Sequence, residues 1–119
     1  EIGVRLVGSE MCIETAKEDV LTDGIQTFPD RTDRVYLNPQ DCSVINDEAL
    51  NRIIAVGHQH HLNVVGWNPG PALSVSMGDM PDDGYKTFVC VETAYASETQ
   101  KVTKEKPAHL AQSIRVAKR

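Results

Sequence analysis

Short runs of β-branched and aromatic residues recur along the chain, and clusters of Gly, Pro, Asn and Asp separate them at intervals of roughly ten residues. This punctuation predicts an all-β protein. Strands are expected at residues 4–7, 34–37, 43–45, 52–56, 62–67, 73–77, 87–92 and 113–116. Turns are expected at Asp23-Gly24, Asn38-Pro39, Asn68-Pro69-Gly70-Pro71 and Pro81-Asp82-Asp83-Gly84. Residues 14–21 have the composition of a short helix, which Thr22-Asp23-Gly24 ends. Residues 101–106 are polar and charged and read as a solvated loop. No internal repeat or low-complexity tract interrupts the pattern.

Alternation is clearest in Thr87-Phe88-Val89-Cys90-Val91-Glu92. On a strand, Phe88, Cys90 and Glu92 share one face, and Val89 and Val91 share the other. Both faces are apolar until Glu92, so the expectation is a strand buried on both sides. An acid ending such a strand needs donors or a raised pKa, because burying an unpaired carboxylate costs several kcal/mol. The residues alone leave two readings open. Glu92 is either a working carboxylate or the wet end of a strand.

Composition narrows the class. The 119 residues set an expectation of one domain. A chain of this length buries roughly two-thirds of the surface it exposes unfolded, enough for one modest core. Lys plus Arg number 12 and Asp plus Glu 17, a net charge of −5, which argues against a nucleic-acid partner. No apolar run approaches the ~20 residues of a membrane span, so no membrane partner is expected. A hydrophobic content of 40% speaks against disorder. The chain opens at Glu1 inside the strand-like run Ile2-Gly3-Val4-Arg5-Leu6-Val7, and no leader pattern precedes it, which suggests processing or a fragment. Cys12, Cys42 and Cys90 show no C-x-x-C spacing and leave at least one thiol unpaired. They read as reduced cysteines of a cytoplasmic protein rather than as a zinc site or disulfide framework.

Candidate chemistry is sparse. His58 and His60 would share a strand face with His61 opposite, but no third ligand lies nearby, so no metal is expected. Gly57-His58-Gln59-His60-His61 reads instead as an exposed hairpin tip between two strands, and His109 sits in a polar tail segment. Asp30, Asp33 and Arg34 crowd the approach to a strand, either as a ligand-facing ion pair or as solvated charge. Neither a phosphate-binding glycine loop nor a nucleophile elbow is present. Trp67 reads as core or rim packing.

Three segments together carry a resemblance. Thr32-Asp33-Arg34-Val35-Tyr36, Val64-Val65-Gly66-Trp67-Asn68-Pro69 and Phe88-Val89-Cys90-Val91-Glu92-Thr93 resemble, in order and spacing, the aldose 1-epimerase (galactose mutarotase-like) family. The nearest branch looks like the bacterial hexose-6-phosphate mutarotases. The likeness runs from about Val20 to the C-terminus. Gly66 is an insertion in the family's Val-Val-Trp-Asn-Pro run, and Gly70 stands where an aromatic is usual. The resemblance implies a galactose mutarotase-like β-supersandwich more than twice this length, of which residues 1–119 would be the C-terminal portion of a single domain. An incomplete sandwich exposes strand edges and apolar faces, which predicts self-association.

The resemblance also implies a reaction. Mutarotases interconvert the α and β anomers of an aldose without a cofactor, so the implied partner is a small-molecule sugar or sugar phosphate. By the same resemblance Glu92 occupies the general-base position. Asp33 matches an acid that hydrogen-bonds sugar hydroxyls, and Arg34 orients Asp33 or reaches the ligand. The family's general-acid histidine and the arginines expected to hold a phosphate lie upstream, and none of the four histidines here matches that motif. The expectation is therefore a glucose-6-phosphate 1-epimerase whose present 119 residues are inactive alone. A mutarotase for a free aldose and a non-catalytic carbohydrate-binding β-module are the alternatives.

Overall fold

The computed structural model describes residues 3–12, 19–28 and 30–119. Their elements follow in the order β1 (Gly3–Cys12), β2 (Asp19–Thr27), β3 (Thr32–Leu37), β4 (Cys42–Asp47), β5 (Arg52–Gln59) and β6 (Asn63–Asn68). Helix α1 (Gly70–Ser76), a 3₁₀ turn (Gly84–Lys86), β7 (Cys90–Ala94) and β8 (Ala111–Lys118) complete the series. The pairing is antiparallel throughout, and the all-β expectation holds. No helix among the described residues is long and apolar enough to cross a membrane.

Strand β1 organises the sheet. One edge carries β2, while the other changes partner: Gly3–Leu6 pair with β4, and Glu10–Cys12 pair with β3. A register shift between Leu6 and Ser9 marks the change. A strand that bends at such an irregularity can pass from one layer of a sandwich to the other. Two arms therefore leave β1, one running β4-β5-β8 and the other β3-β6-β7.

The arms face each other across one core. Tyr36 from β3 and Val64 from β6 cluster with Ile45 from β4 and Val56 from β5, flanked by Phe28, Ile54, Val89 and Val91. Each such buried side chain contributes roughly 1.5–3 kcal/mol. The facing is incomplete at one edge. Register places Ile114 and Val116 of β8 beside Val56 and Ile54 on the inner face, yet they are 63% and 60% exposed. The radius of gyration, 15.2 Å, exceeds the roughly 13.5 Å of a compact chain this long. An uncovered inner face under β8 accounts for both observations.

Several expectations need correction. Residues 73–77 are not a strand, because α1 runs through most of them. Leu73, Val75 and Met77 alternate as in a strand, but Pro71 near the helix start fixes φ, and Ser74 Oγ donates to the Gly70 carbonyl at 2.8 Å. Asp23-Gly24 lies inside β2, as do residues 19–21 of the expected helix; residues 14–18 of that helix lie outside the described residues. The strands on either side of the histidines form no hairpin: β5 pairs with β4 and β8, and β6 pairs with β3 and β7. Residues 101–106 are exposed, as expected.

Gly70 has a φ of +68°, and a Cβ there would meet the Arg31 backbone, with Arg31 Cα at 2.9 Å. The left-handed backbone alone costs an L-residue about 1–2 kcal/mol. Gly70→Ala is expected to destabilise the chain by at least about 2 kcal/mol, read from its urea midpoint.

Candidate functional site

The layer β3-β6-β7 presents two unlike faces, and register assigns every side chain to one of them. Arg34, Gly66 and Val91 stand in one row, with Tyr36, Val64 and Thr93 in the next. This face is the inner one, since Tyr36 and Val64 are fully buried. Asp33, Trp67 and Cys90 form a row on the other face, and Val35, Val65 and Glu92 form the next. Asp33 and Glu92 therefore look out from the same side of the layer. With strands about 4.8 Å apart and residues about 3.4 Å apart along them, their backbones are roughly 12 Å apart. Trp67 lies between, directly opposite Asp33 and diagonal to Glu92.

Glu92 is exposed, which corrects the expectation of a strand buried on both sides. The strand starts later than the alternation suggests, at Cys90, and only Val91 and Thr93 face the opposite layer. A cavity of about 300 Å³ opens along the β7 edge, lined by Val91, Glu92, Thr93, Leu110, Ala111 and Gln112. Burial and then the nearby Glu92 charge push the Cys90 thiol up. Cys42 and Cys90 are both free thiols.

Arg34 lies on the face opposite to Asp33 and Glu92. Its guanidinium sits 5.8 Å from the centre of the Phe28 ring. Burial raises the Tyr36 phenol above its ordinary range, with Arg34 opposing. Gly66, the insertion noted above, fits the same packing, for a Cβ there would press to 3.2 Å against both the Phe28 and Tyr36 rings. Its missing side chain leaves room for the two rings under Arg34.

Two buried asparagines hold the ends of β6. Asn63 donates to the Tyr36 carbonyl at 3.3 Å, and its Oδ1 accepts from the amides of Ala96 and Ser97, both at 2.8 Å. Asn68 donates to the carbonyls of Tyr85 and Phe88, both at 2.9 Å, and accepts from the Gly70 amide. Holding Phe88 in this way keeps residues 87–89 out of the ladder. The connection from β6 to β7 is thus tied to the strand that precedes it, and this places Glu92. Trp67 packs on Phe88 with ring centres 6.0 Å apart, in keeping with the rim-packing expectation.

The expected exposed turn is correct for His60, which is exposed with a φ of +59°, and wrong for His58. His58 continues β5 and is 2% exposed. Ile54, Val56 and His58 share a strand face, and that spacing is the signal that would have located it. Its Nε2 lies 2.9 Å from Ser43 Oγ and its Nδ1 2.6 Å from Thr93 Oγ1, bridging the two layers. Burial, then the neighbouring His61, hold the imidazole pKa below its ordinary 6.5, with Asp41 opposing. Among the described residues no group of three His, Cys, Asp or Glu side chains is placed to hold a metal.

This depression makes stability depend on pH. The contribution of His58 is fully present above about 6.5 and is lost as pH falls from there through the folded value, because the unfolded imidazole takes up the proton first. The urea midpoint is expected to fall below pH 6.5, and less steeply in a His58→Gln variant.

The sequence matches the aldose 1-epimerase family over residues 9–113. It is 95% identical over 107 residues to the candidate glucose-6-phosphate 1-epimerase of Escherichia coli (strain K12). Identity to the corresponding protein of Salmonella typhimurium (strain LT2) is 78% over 107 residues. Each alignment takes in 90% of this chain and 36% of the relative, so the chain spans about a third of their length. A crystal structure of a candidate mutarotase from Salmonella typhimurium shares the fold with a TM-score of 0.91 at 71% identity, covering 99% of this chain and 41% of that one. A match over nearly the whole span, carried by a mutarotase-like sandwich, makes this chain a member of the aldose 1-epimerase family.

Proposed function

We propose that this chain is the C-terminal portion of a mutarotase sandwich and supplies the base side of its active site, acting on a hexose 6-phosphate. The observation that carries the reading is the shared outward face of Glu92 and Asp33, with Trp67 on the strand between them. A sugar lying on that face meets two carboxylates from strands two apart. Glu92 takes the proton from the anomeric hydroxyl while an acid protonates the ring oxygen, so the C1–O5 bond breaks and a carbonyl forms at C1. Rotation about C1–C2 presents the other face of that carbonyl. Closure then re-forms the C1–O5 bond and returns each proton. Asp33 holds sugar hydroxyls, and Arg34 supports Asp33 through β3 from the inner face. The reaction needs no cofactor, and a cytoplasmic setting suits the free thiols.

The acid and the phosphate-binding groups come from the part of the whole protein beyond this span, as the 36% coverage of its relatives allows. The test is anomer exchange of glucose 6-phosphate followed by NMR, with this chain and with a protein of its relatives' length. Acceleration by the longer protein alone is expected. Near-full activity from the 119 residues would overturn the division of acid and base. Acceleration by neither would point to free glucose or galactose, or to a non-catalytic carbohydrate-binding module.

A further inference from the structure

Glu92 sits on an edge strand. In the described sheet β7 pairs with β6 on one side only, and an edge strand held by one neighbour is free to twist and fray. A base must be held within a fraction of an ångström of its working position, since misplacement by about 1 Å can cost on the order of 10²-fold in rate. Asn68 holds the chain before β7 and Asn63 the chain after it, and the middle of the strand, where Glu92 stands, needs a contact of its own.

Both residues that flank Glu92 are tied to the opposite layer. The Gln112 side-chain amide donates to the Val91 carbonyl at 3.2 Å and to Thr93 Oγ1 at 2.9 Å. Thr93 Oγ1 also meets His58 Nδ1, and His58 Nε2 meets Ser43 Oγ. A neutral imidazole has one donor and one acceptor. One consistent assignment runs Gln112 N–H to Thr93, Thr93 O–H to His58 Nδ1, and His58 Nε2–H to Ser43. The chain of bonds crosses from β8 through β7 to β5 and β4, pulling Thr93 inward. Because neighbours on a strand point to opposite faces, fixing Thr93 inward fixes Glu92 outward. Three of the residues so joined, Val91, Thr93 and Gln112, wall the cavity beside Glu92.

We propose that Gln112, Thr93 and His58 are positioning residues that hold the Glu92 strand for proton transfer. The inference rests on Glu92 being the base. Gln112 is exposed in this chain, so in the 119 residues its loss removes the tie without opening the core.

The experiment measures kcat and KM for glucose 6-phosphate anomer exchange in a protein of the relatives' length. Gln112→Ala and Thr93→Val are each expected to lower kcat roughly tenfold with KM little changed, within the scale of small misplacements. Thr93→Ser restores the rate, and the double variant loses less than the product of the two single losses, because both break the Gln112–Thr93 bond. Ile54→Val, in the same core away from Glu92, loses stability and keeps kcat. Wild-type kcat in Gln112→Ala and Thr93→Val, or Thr93→Ser as slow as Thr93→Val, overturns the positioning role alone. A wild type inactive on phosphorylated and free hexoses overturns the reading of Glu92 and this inference with it.

Discussion

Glu92→Gln, placed in a protein of the relatives' length, is expected to lower anomer exchange by about 10²- to 10⁴-fold, the usual share of a general base. The amide matches the carboxylate in shape but has no basic oxygen to take a proton from the anomeric hydroxyl. Glu92 is exposed in this chain, so in the 119 residues the exchange buries no new polar group and the unfolding free energy stays within about 0.5 kcal/mol of wild type. Rate and stability therefore separate. NMR magnetisation transfer between the two anomers reads the rate directly. A variant that keeps its rate would assign the base elsewhere. A binding module would keep its sugar affinity and show no rate to lose.

The second large effect falls on stability. Asn68→Asp is expected to destabilise the chain more than Asn68→Ala, although aspartate is the closer match in shape. Asn68 donates to the carbonyls of Tyr85 and Phe88 and is 2% exposed. Alanine leaves those groups without their partner, at a cost of roughly 2–4 kcal/mol. A carboxylate in the same place points oxygen at two carbonyl oxygens and adds the desolvation of a charge. Urea unfolding of both variants at neutral pH checks the order. If aspartate proved milder than alanine, the two donated bonds would not be what holds the link into β7.

The sequence was most readable where side-chain alternation and burial agree. Strands β3, β4, β5, β6 and β8 follow runs of β-branched residues and fall within a few residues of their expected limits. The helix α1 was hidden because Leu73, Val75 and Met77 mimic a strand, while the deciding features, Pro71 and the Ser74 back-bond, act through the backbone. His58 was missed for a related reason. Gly57 and three histidines look like a turn, yet the inner face of Ile54 and Val56 continues through His58. The exchange of partners along β1 had no local signal, since a choice between β3 and β4 depends on strands far away in sequence. For the site, motif resemblance singled out Glu92, Asp33 and Arg34. Only register separates Arg34 from the other two.

That separation has a consequence for how such a surface can change. Asp33 and Arg34 are neighbours in sequence, but one looks outward while the other packs over Phe28. Outward positions of β3, β6 and β7 can drift toward a new ligand while the inward positions keep the sandwich folded. Recognition and folding are thus separately evolvable within one strand. A one-residue insertion in β3 would end that independence, because it reverses every following side chain. Placed before Asp33, it would turn the carboxylate inward against the Phe28 ring and bring the guanidinium out into the row of Val65 and Glu92.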